Sequence, residues 1–355
     1  MRLTRRQIML GGLGGVALAG SVGAAMLLRG SRPVLGANVS FTENDMRFFR
    51  IGTGSTAGTY YPVGGLLAAA ISNPPGSHPC EEGGACGVPG LIAVAQSTEG
   101  SVDNVRRMES GGLESALCQA DVAYWAAVGE GIFNDSGPQT ELRTIASLFP
   151  ELLHLVVRHE ANIRSVKDLV GKRISLDREG SGTRVDALLV LEAFGIKPGS
   201  YEEVPLAAGQ AAEVLERGEL DAFFMVAGTP VPVVDELANL QLINLLPLEG
   251  PEVTALAERY PFFALDAISA GTYHNQGVTP TLSVAALWLV SQEVEEELVF
   301  AITDALWSPA TRILLDSGHP RAQQILLENA LKGVNQPPLH PGARAFYEQA
   351  GLLPT

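Results

Sequence analysis

Phe48-Phe-Arg-Ile51 runs into Gly52-Thr-Gly-Ser-Thr-Ala-Gly58 and then into Thr59-Tyr-Tyr-Pro-Val-Gly-Gly-Leu-Leu-Ala-Ala-Ala-Ile71. The first piece is a strand candidate. The last reads as a helix, with Pro62 tolerable because it falls in the first turn. A strand therefore empties through a Gly-rich loop into a helix N-terminus. The same grammar returns at Arg173-Ile-Ser-Leu176, which leads through Glu179-Gly-Ser-Gly-Thr183 into an amphipathic stretch over 185–194. Two such units predict an α/β fold with two lobes.

Other elements fill in around them. Residues 91–95 form a short buried strand ending in Gln96-Ser-Thr-Glu-Gly-Ser101, and Ser101 caps a helix over 102–109. Residues 120–125 and 222–226 read as corresponding strand ends. The β-rich stretches 142–157 and 262–268 are the candidates for crossovers between lobes. Residues 165–171 make one helical turn with an N-cap Ser and a terminating Gly. From Ser291 onward the pattern is helical, most clearly over 292–307 and 322–331.

Lys and Arg number 24 against 39 Asp and Glu, a net charge of −15 in 355 residues. That excludes a nucleic-acid binder of the electrostatic kind, which needs a basic stripe. The first 42 residues hold five Arg and no acid, leaving 19 bases against 39 acids, or −20, for the rest. With 46% hydrophobic and 18% charged residues the chain can fill a core, and its length makes two domains the prior.

Residues 8–28 are uncharged and apolar, preceded by Met1-Arg-Leu-Thr-Arg-Arg-Gln-Ile-Met9 and followed by Arg29 and Arg32. This is the pattern of an export signal, assigned to 1–36 and similar to the twin-arginine type through Arg5 and Arg6. The alternative is a membrane anchor, since roughly 20 apolar residues span a bilayer. Residues 37–47 are then a polar tether, and the body is periplasmic. Cys80 and Cys86 flank a flexible Glu-Glu-Gly-Gly-Ala loop, where an oxidising compartment favours a disulfide. A metal site would want more thiols or histidines, and His78 is the sole candidate partner. Cys118 is left as a small buried hydrophobe.

Enzyme signatures fail on context. Gly52-x-Gly54-x-x-Ala57 matches a loose dinucleotide fingerprint, but the segment that should carry a ribose-binding acid reads Pro-Pro-Gly-Ser-His-Pro-Cys-Glu-Glu, which cannot be a buried strand. No P-loop, HExxH or GxSxG occurs, and the six histidines are scattered. With no acid, base and nucleophile set to name, the chain is expected to be neither an enzyme nor a cofactor carrier. Binding fits better. The two Gly-rich loops supply hydroxyls and the unpaired N–H groups of a helix start, where the macrodipole is positive. One such site on each lobe would let a small anion bridge them.

Taken in order, Gly52-Thr-Gly-Ser-Thr-Ala-Gly-Thr-Tyr-Tyr-Pro62, Gln96-Ser-Thr-Glu-Gly-Ser-Val-Asp-Asn104, Gln119-Ala-Asp121, Leu169-Val-Gly-Lys-Arg-Ile-Ser-Leu176, Gly180-Ser-Gly-Thr-Arg184, Phe223-Phe-Met-Val-Ala-Gly228 and Ala270-Gly-Thr-Tyr273 carry a resemblance. From about Phe48 to its end the chain resembles the TAXI-type solute receptors of TRAP transporters. The resemblance implies a two-lobed periplasmic-binding-protein clamshell, type II-like, with lobe 1 at 48–150 and 268–355 and lobe 2 at 151–267. It implies delivery of a small organic acid or acidic amino acid, glutamate-like or 2-oxoglutarate-like, to an integral membrane permease. The cysteine-flanked insertion and Leu117-Cys118 depart from the pattern and bear on the pocket rim. Carried over by position, Thr53, Ser55, Thr59 and Tyr60 donate from the first loop. Ser97 and Thr98 end a strand at the cleft, and Gln119 offers an amide. Ser181, Gly182 and Thr183 hold the second polar end, with Phe224 and Val226 as apolar walls. Arg184 is either the counter-ion or half of a surface salt bridge. A receptor of this build can equally serve a membrane signalling partner as its sensing module.

Overall fold

The computed structural model describes residues 46–354 apart from 81, 82, 85 and 275. The export signal and nearly all of the tether lie outside the described residues. β1 (Arg47–Gly52) pairs in parallel with β4 (Leu91–Gln96) and, at its last two residues, with β5 (Ser115–Gln119). Between them run α1 (Tyr60–Ile71), a short pair β2 (Ser72–Asn73) and β3 (Val88–Pro89), and α2 (Ser101–Glu109).

The second half repeats the plan. β6 (Leu142–Arg158) enters it, followed by β7 (Arg173–Ser175), α4 (Gly182–Ala193), β8 (Glu202–Glu203), α5 (Ala208–Glu216) and β9 (Ala222–Ala227). α3 (Ala120–Val128) lies before β6. Helix α6 (Pro232–Asn239), β10 (Ile243–Leu245), α7 (Pro251–Arg259), β11 (Ala264–Ile268) and β12 (Thr279–Ser291) follow. Helices α8 (Glu296–Leu306), α9 (Pro309–Gly318) and α10 (Pro341–Gln349) close the chain against the first half.

The sheet order β4-β1-β5-β12-β6-β9-β7-β8 is one motif written twice, back to back. In each half three parallel strands are closed by an antiparallel one, β12 beside β5 and β6 beside β9. The two closing strands pair with each other along most of their length. β6 therefore starts in the first half and ends in the second, and β12 returns. This is a two-lobed α/β clamshell with crossing segments. At about 3.3 Å per residue, 17 residues of β6 are long enough for the crossing. Trp288 of β12 is fully buried, and its indole N–H donates to Ser115 Oγ at 3.2 Å, so the crossing is anchored in the first core.

Several expectations change. Residues 120–125 are helical, because β5 passes into α3 at Gln119 without a loop, and Gly129 in the left-handed region ends that helix. The second crossover is β12; β11 pairs with β12 and goes no further. Within 322–331 there are two three-residue 3₁₀ turns in place of a helix, while 309–318 is the α-helix the pattern hid. Ser101 is the first residue of α2, not its cap; its hydroxyl accepts from the Gln119 N–H at 3.0 Å, and Gly100 takes the cap position at φ 121°. The turn after Ser165 forms as expected, with a reciprocal Ser165/Asp168 capping box and Gly171 at φ 74°. Cys80 and Cys86 are joined, and Cys118 is buried and free.

Candidate functional site

In doubly wound sheets ligands sit beyond the carboxyl ends of the parallel strands. A cavity of about 60 Å³ lies there, between the loop after β1 and the loop after β7. A larger hollow, about 1050 Å³, lies at the opposite strand ends, around Phe48, Glu109 and Ser291, with the N-cap of α8 at Glu295 in its wall and neither Gly-rich loop reaching it. The small cavity carries the chemistry. Four helices begin on residues that line it: α1 at Tyr60, α2 at Ser101, α4 at Gly182 and α5 at Ala208.

Of the residues singled out in the sequence, Ser55, Thr59, Tyr60, Gln119, Ser181, Gly182, Thr183 and Val226 line this cavity. The two Gly-rich loops therefore meet. The two halves also touch directly around them. The Thr59 hydroxyl does not cap α1; it donates to the Gly228 carbonyl at 3.2 Å and accepts from the Gly228 N–H at 3.1 Å. Asp103 N–H donates to the Gly180 carbonyl at 3.0 Å, and the Gln119 amide donates to Asp186 Oδ2 at 2.7 Å. Ser181 caps α4 by accepting from the Thr183 N–H at 3.2 Å, and donates to Asp177 Oδ2 at 3.1 Å. Gly182 is needed for close approach, though to protein: a Cβ there would overlap the Gln119 amide and stand 3.0 Å from Ser101 Oγ.

Five of the expected residues sit elsewhere. Thr53 is fully buried beneath the loop, donating to the Gln96 carbonyl at 2.6 Å while its own carbonyl accepts from Asn104. Ser97 and Thr98 line a separate outer groove of about 440 Å³; Ser97 donates to the Gly54 carbonyl at 2.9 Å and Thr98 Oγ1 accepts from the Gly100 N–H at 3.2 Å. Arg184 pairs with Glu203 at 2.8 Å, the salt bridge of its two alternatives, and is not among the residues that line the cavity. Phe224 is sealed in the core, and Met225 lines the cavity beside Val226.

What sequence reasoning missed is the acid. Glu151 projects from β6 into the cavity, 2% exposed, and accepts from the Tyr60 hydroxyl at 2.5 Å. Burial, more than the opposing Tyr60 bond, pushes its carboxyl up to about 8, and Asp121 adds to the rise. Burial likewise lifts Asp177 to about 6. Behind Gln119, Asp121 and Asp186 are buried together and both raised, first by burial. The signal was available: Glu151 interrupts an otherwise apolar run, Phe149-Pro-Glu-Leu-Leu153. The positive ends of the helices are thus already faced by the chain's own carboxyls, and the cavity wall is rich in acceptors. Arg321 supplies the nearby positive charge; 8% exposed, it donates to Thr229 and to Gln324 and acts electrostatically on Glu151. Among the described residues no group of three His, Cys, Asp or Glu is placed to hold a metal ion.

A family model matches residues 51–351, a span that includes both loops and both crossing strands, under the description NMT1-like family. The chain belongs to the NMT1-like family. Solved structures with similarity to this NMT1-like chain include a protein from Bordetella bronchiseptica RB50 (15% identity, 86% of this chain and 82% of that one, TM-score 0.49). The alkanesulfonate-binding protein SsuA from Xanthomonas axonopodis pv. citri, bound to MOPS, is 16% identical over 88% of this chain and 96% of its own, with a TM-score of 0.44. MatC from Rhodopseudomonas palustris, with bound malate, is 13% identical over 86% and 97%, with a TM-score of 0.49.

Proposed function

We propose that the chain is a periplasmic solute receptor that closes two lobes, 48–150 with 268–355 and 151–267, on a small organic acid and hands it to a TRAP-type membrane permease. The first division point falls inside β6, which crosses between the halves, and the second at the end of β11, just ahead of the crossing strand β12. One observation carries the reading: helix N-termini from both halves of the sheet converge on one cavity, with hydrogen bonds from Thr59 to Gly228 and from Gln119 to Asp186 bridging the halves across it. At about 60 Å³ the cavity has room for a few non-hydrogen atoms, so admitting a solute requires the lobes to part.

Within the organic acids the wall favours an amino acid over its 2-oxo acid. A carboxylate finds donors at the starts of α1 and α4, while an ammonium group finds Glu151, Asp177 and the free Gln119 carbonyl oxygen. A 2-oxo acid would set its carbonyl oxygen against Asp177 and the Gln119 carbonyl oxygen, leaving a protonated Glu151 as its one side-chain donor among these three. A thermal-shift panel pairing each α-amino acid with its 2-oxo acid tests this. An amino acid at roughly 100 times its Kd should stabilise the native state by about 2.7 kcal/mol, with its oxo partner inert. Equal shifts by both members would remove the amino-acid preference, and turnover of either would replace the receptor by an enzyme. Capture of a small and a large integral permease subunit, and no kinase, supports transport over sensing.

A further inference from the structure

α3 and α4 belong to opposite halves of the sheet, yet each brings an aspartate to the same buried point. Asp121 is 0% exposed and Asp186 1%. Gln119 Nε2 donates to both, at 3.4 Å to Asp121 Oδ1 and at 2.7 Å to Asp186 Oδ2. That leaves Asp121 Oδ2 and Asp186 Oδ1 buried without a donor. Two carboxylates cannot donate to each other, and unsatisfied buried oxygens are costly. A single proton between them makes one a donor and satisfies both.

We propose that the Asp121–Asp186 pair is a proton site at the seam between the lobes: with one proton bound the lobes rest closed, and with both carboxyls ionised they are driven apart. The surroundings work in this direction. Glu151 on β6 adds its charge against Asp186, and Asp121 and Cys118 on β5 oppose each other's ionisation. Tyr60 on α1 stands against Glu151. No Lys, Arg or His among the described residues forms an ion pair with either aspartate, and Arg321 acts on Glu151 and not on the pair. Burial and mutual repulsion raise Asp186 well above the ordinary carboxylate range. The proton is therefore kept where an exposed aspartate would have lost it, and leaves only at higher pH. The site rests on the hinged-lobe reading above but adds a second ligand to it, the proton, at a place the solute need not touch.

Small-angle scattering of the solute-free protein from about pH 5 to about pH 9 tests it, a window spanning ordinary and raised carboxyl values. The wild-type radius of gyration is expected to rise with pH. In Asp186→Asn the amide donates to Asp121 without needing a proton, so the radius stays at its low-pH value throughout; Asp121→Asn does the same from the other side. A wild-type radius independent of pH overturns the proposal, as does a rise in both Asn variants at the wild-type midpoint. If the wild-type radius ignores pH yet falls on adding glutamate at neutral pH, the proton site is lost while the receptor reading stands.

Discussion

Glu151 shows how one buried side chain sets a condition on the whole cleft. Its carboxyl is held up to about 8, so the native state binds a proton that the unfolded chain releases near 4.5. For a raised group the stabilisation is complete below the unfolded value and is lost as pH rises through the folded one. Unfolding free energy from urea titrations should therefore fall between about pH 5 and about pH 8, and Glu151→Gln should make that fall shallower. The amide oxygen still accepts from Tyr60, so the substitution removes the titration while keeping the bond. Parallel wild-type and variant curves would show that Glu151 is ionised in the fold. At this scale the sequence was only partly legible. Hydroxyls in Gly-rich loops were visible, and eight of thirteen named residues reach the cavity. Thr53 and Ser97 do not line it, because a loop hydroxyl more often serves its own backbone than a ligand, and spacing alone does not say which.

At the scale of elements, the starts of α1 and α4 were legible because strand, Gly-rich loop and helix follow one another in both halves. The start of α3 was not. Val122, Tyr124 and Trp125 carry β propensity, and nothing local marks the switch at Gln119; the tertiary position of β5 against β12 decides it. The same switch places Gln119 under Gly182, and that closeness makes a prediction. Gly182→Val should leave a protein that melts cooperatively but no longer binds, because the side chain collides with the Gln119 amide held by Asp186. Gly182→Ala should weaken binding less, and Gln119→Ala should relieve part of that loss, an interaction of about 0.5 to 3 kcal/mol between touching sites. Strictly additive losses in the pair would mean that the overlap is absorbed elsewhere.

For the whole molecule, the two-lobe plan followed from the repeated unit, but its connections did not. β12 pairs with β5, β6 and β11 at once, and β5 and β6 lie so far from it in sequence that their pairing leaves no local trace. The consequence is a hinge made of two long strands beneath a cleft whose loops already hydrogen-bond each other. Thr59 provides two of those bonds, both to Gly228, where a Cβ would come within 2.5 Å of the Arg321 side chain. Closure on a solute must keep or replace them. The most direct test is calorimetric titration of wild type and Thr59→Ala with the amino acid that gives the largest thermal shift. One solute per chain should bind the wild type, and the variant should bind about 5- to 150-fold more weakly, the effect of about 1 to 3 kcal/mol lost from the closed state. Equal affinities in the two proteins, or no binding of any acid in the panel, would contradict a receptor that closes across this cleft.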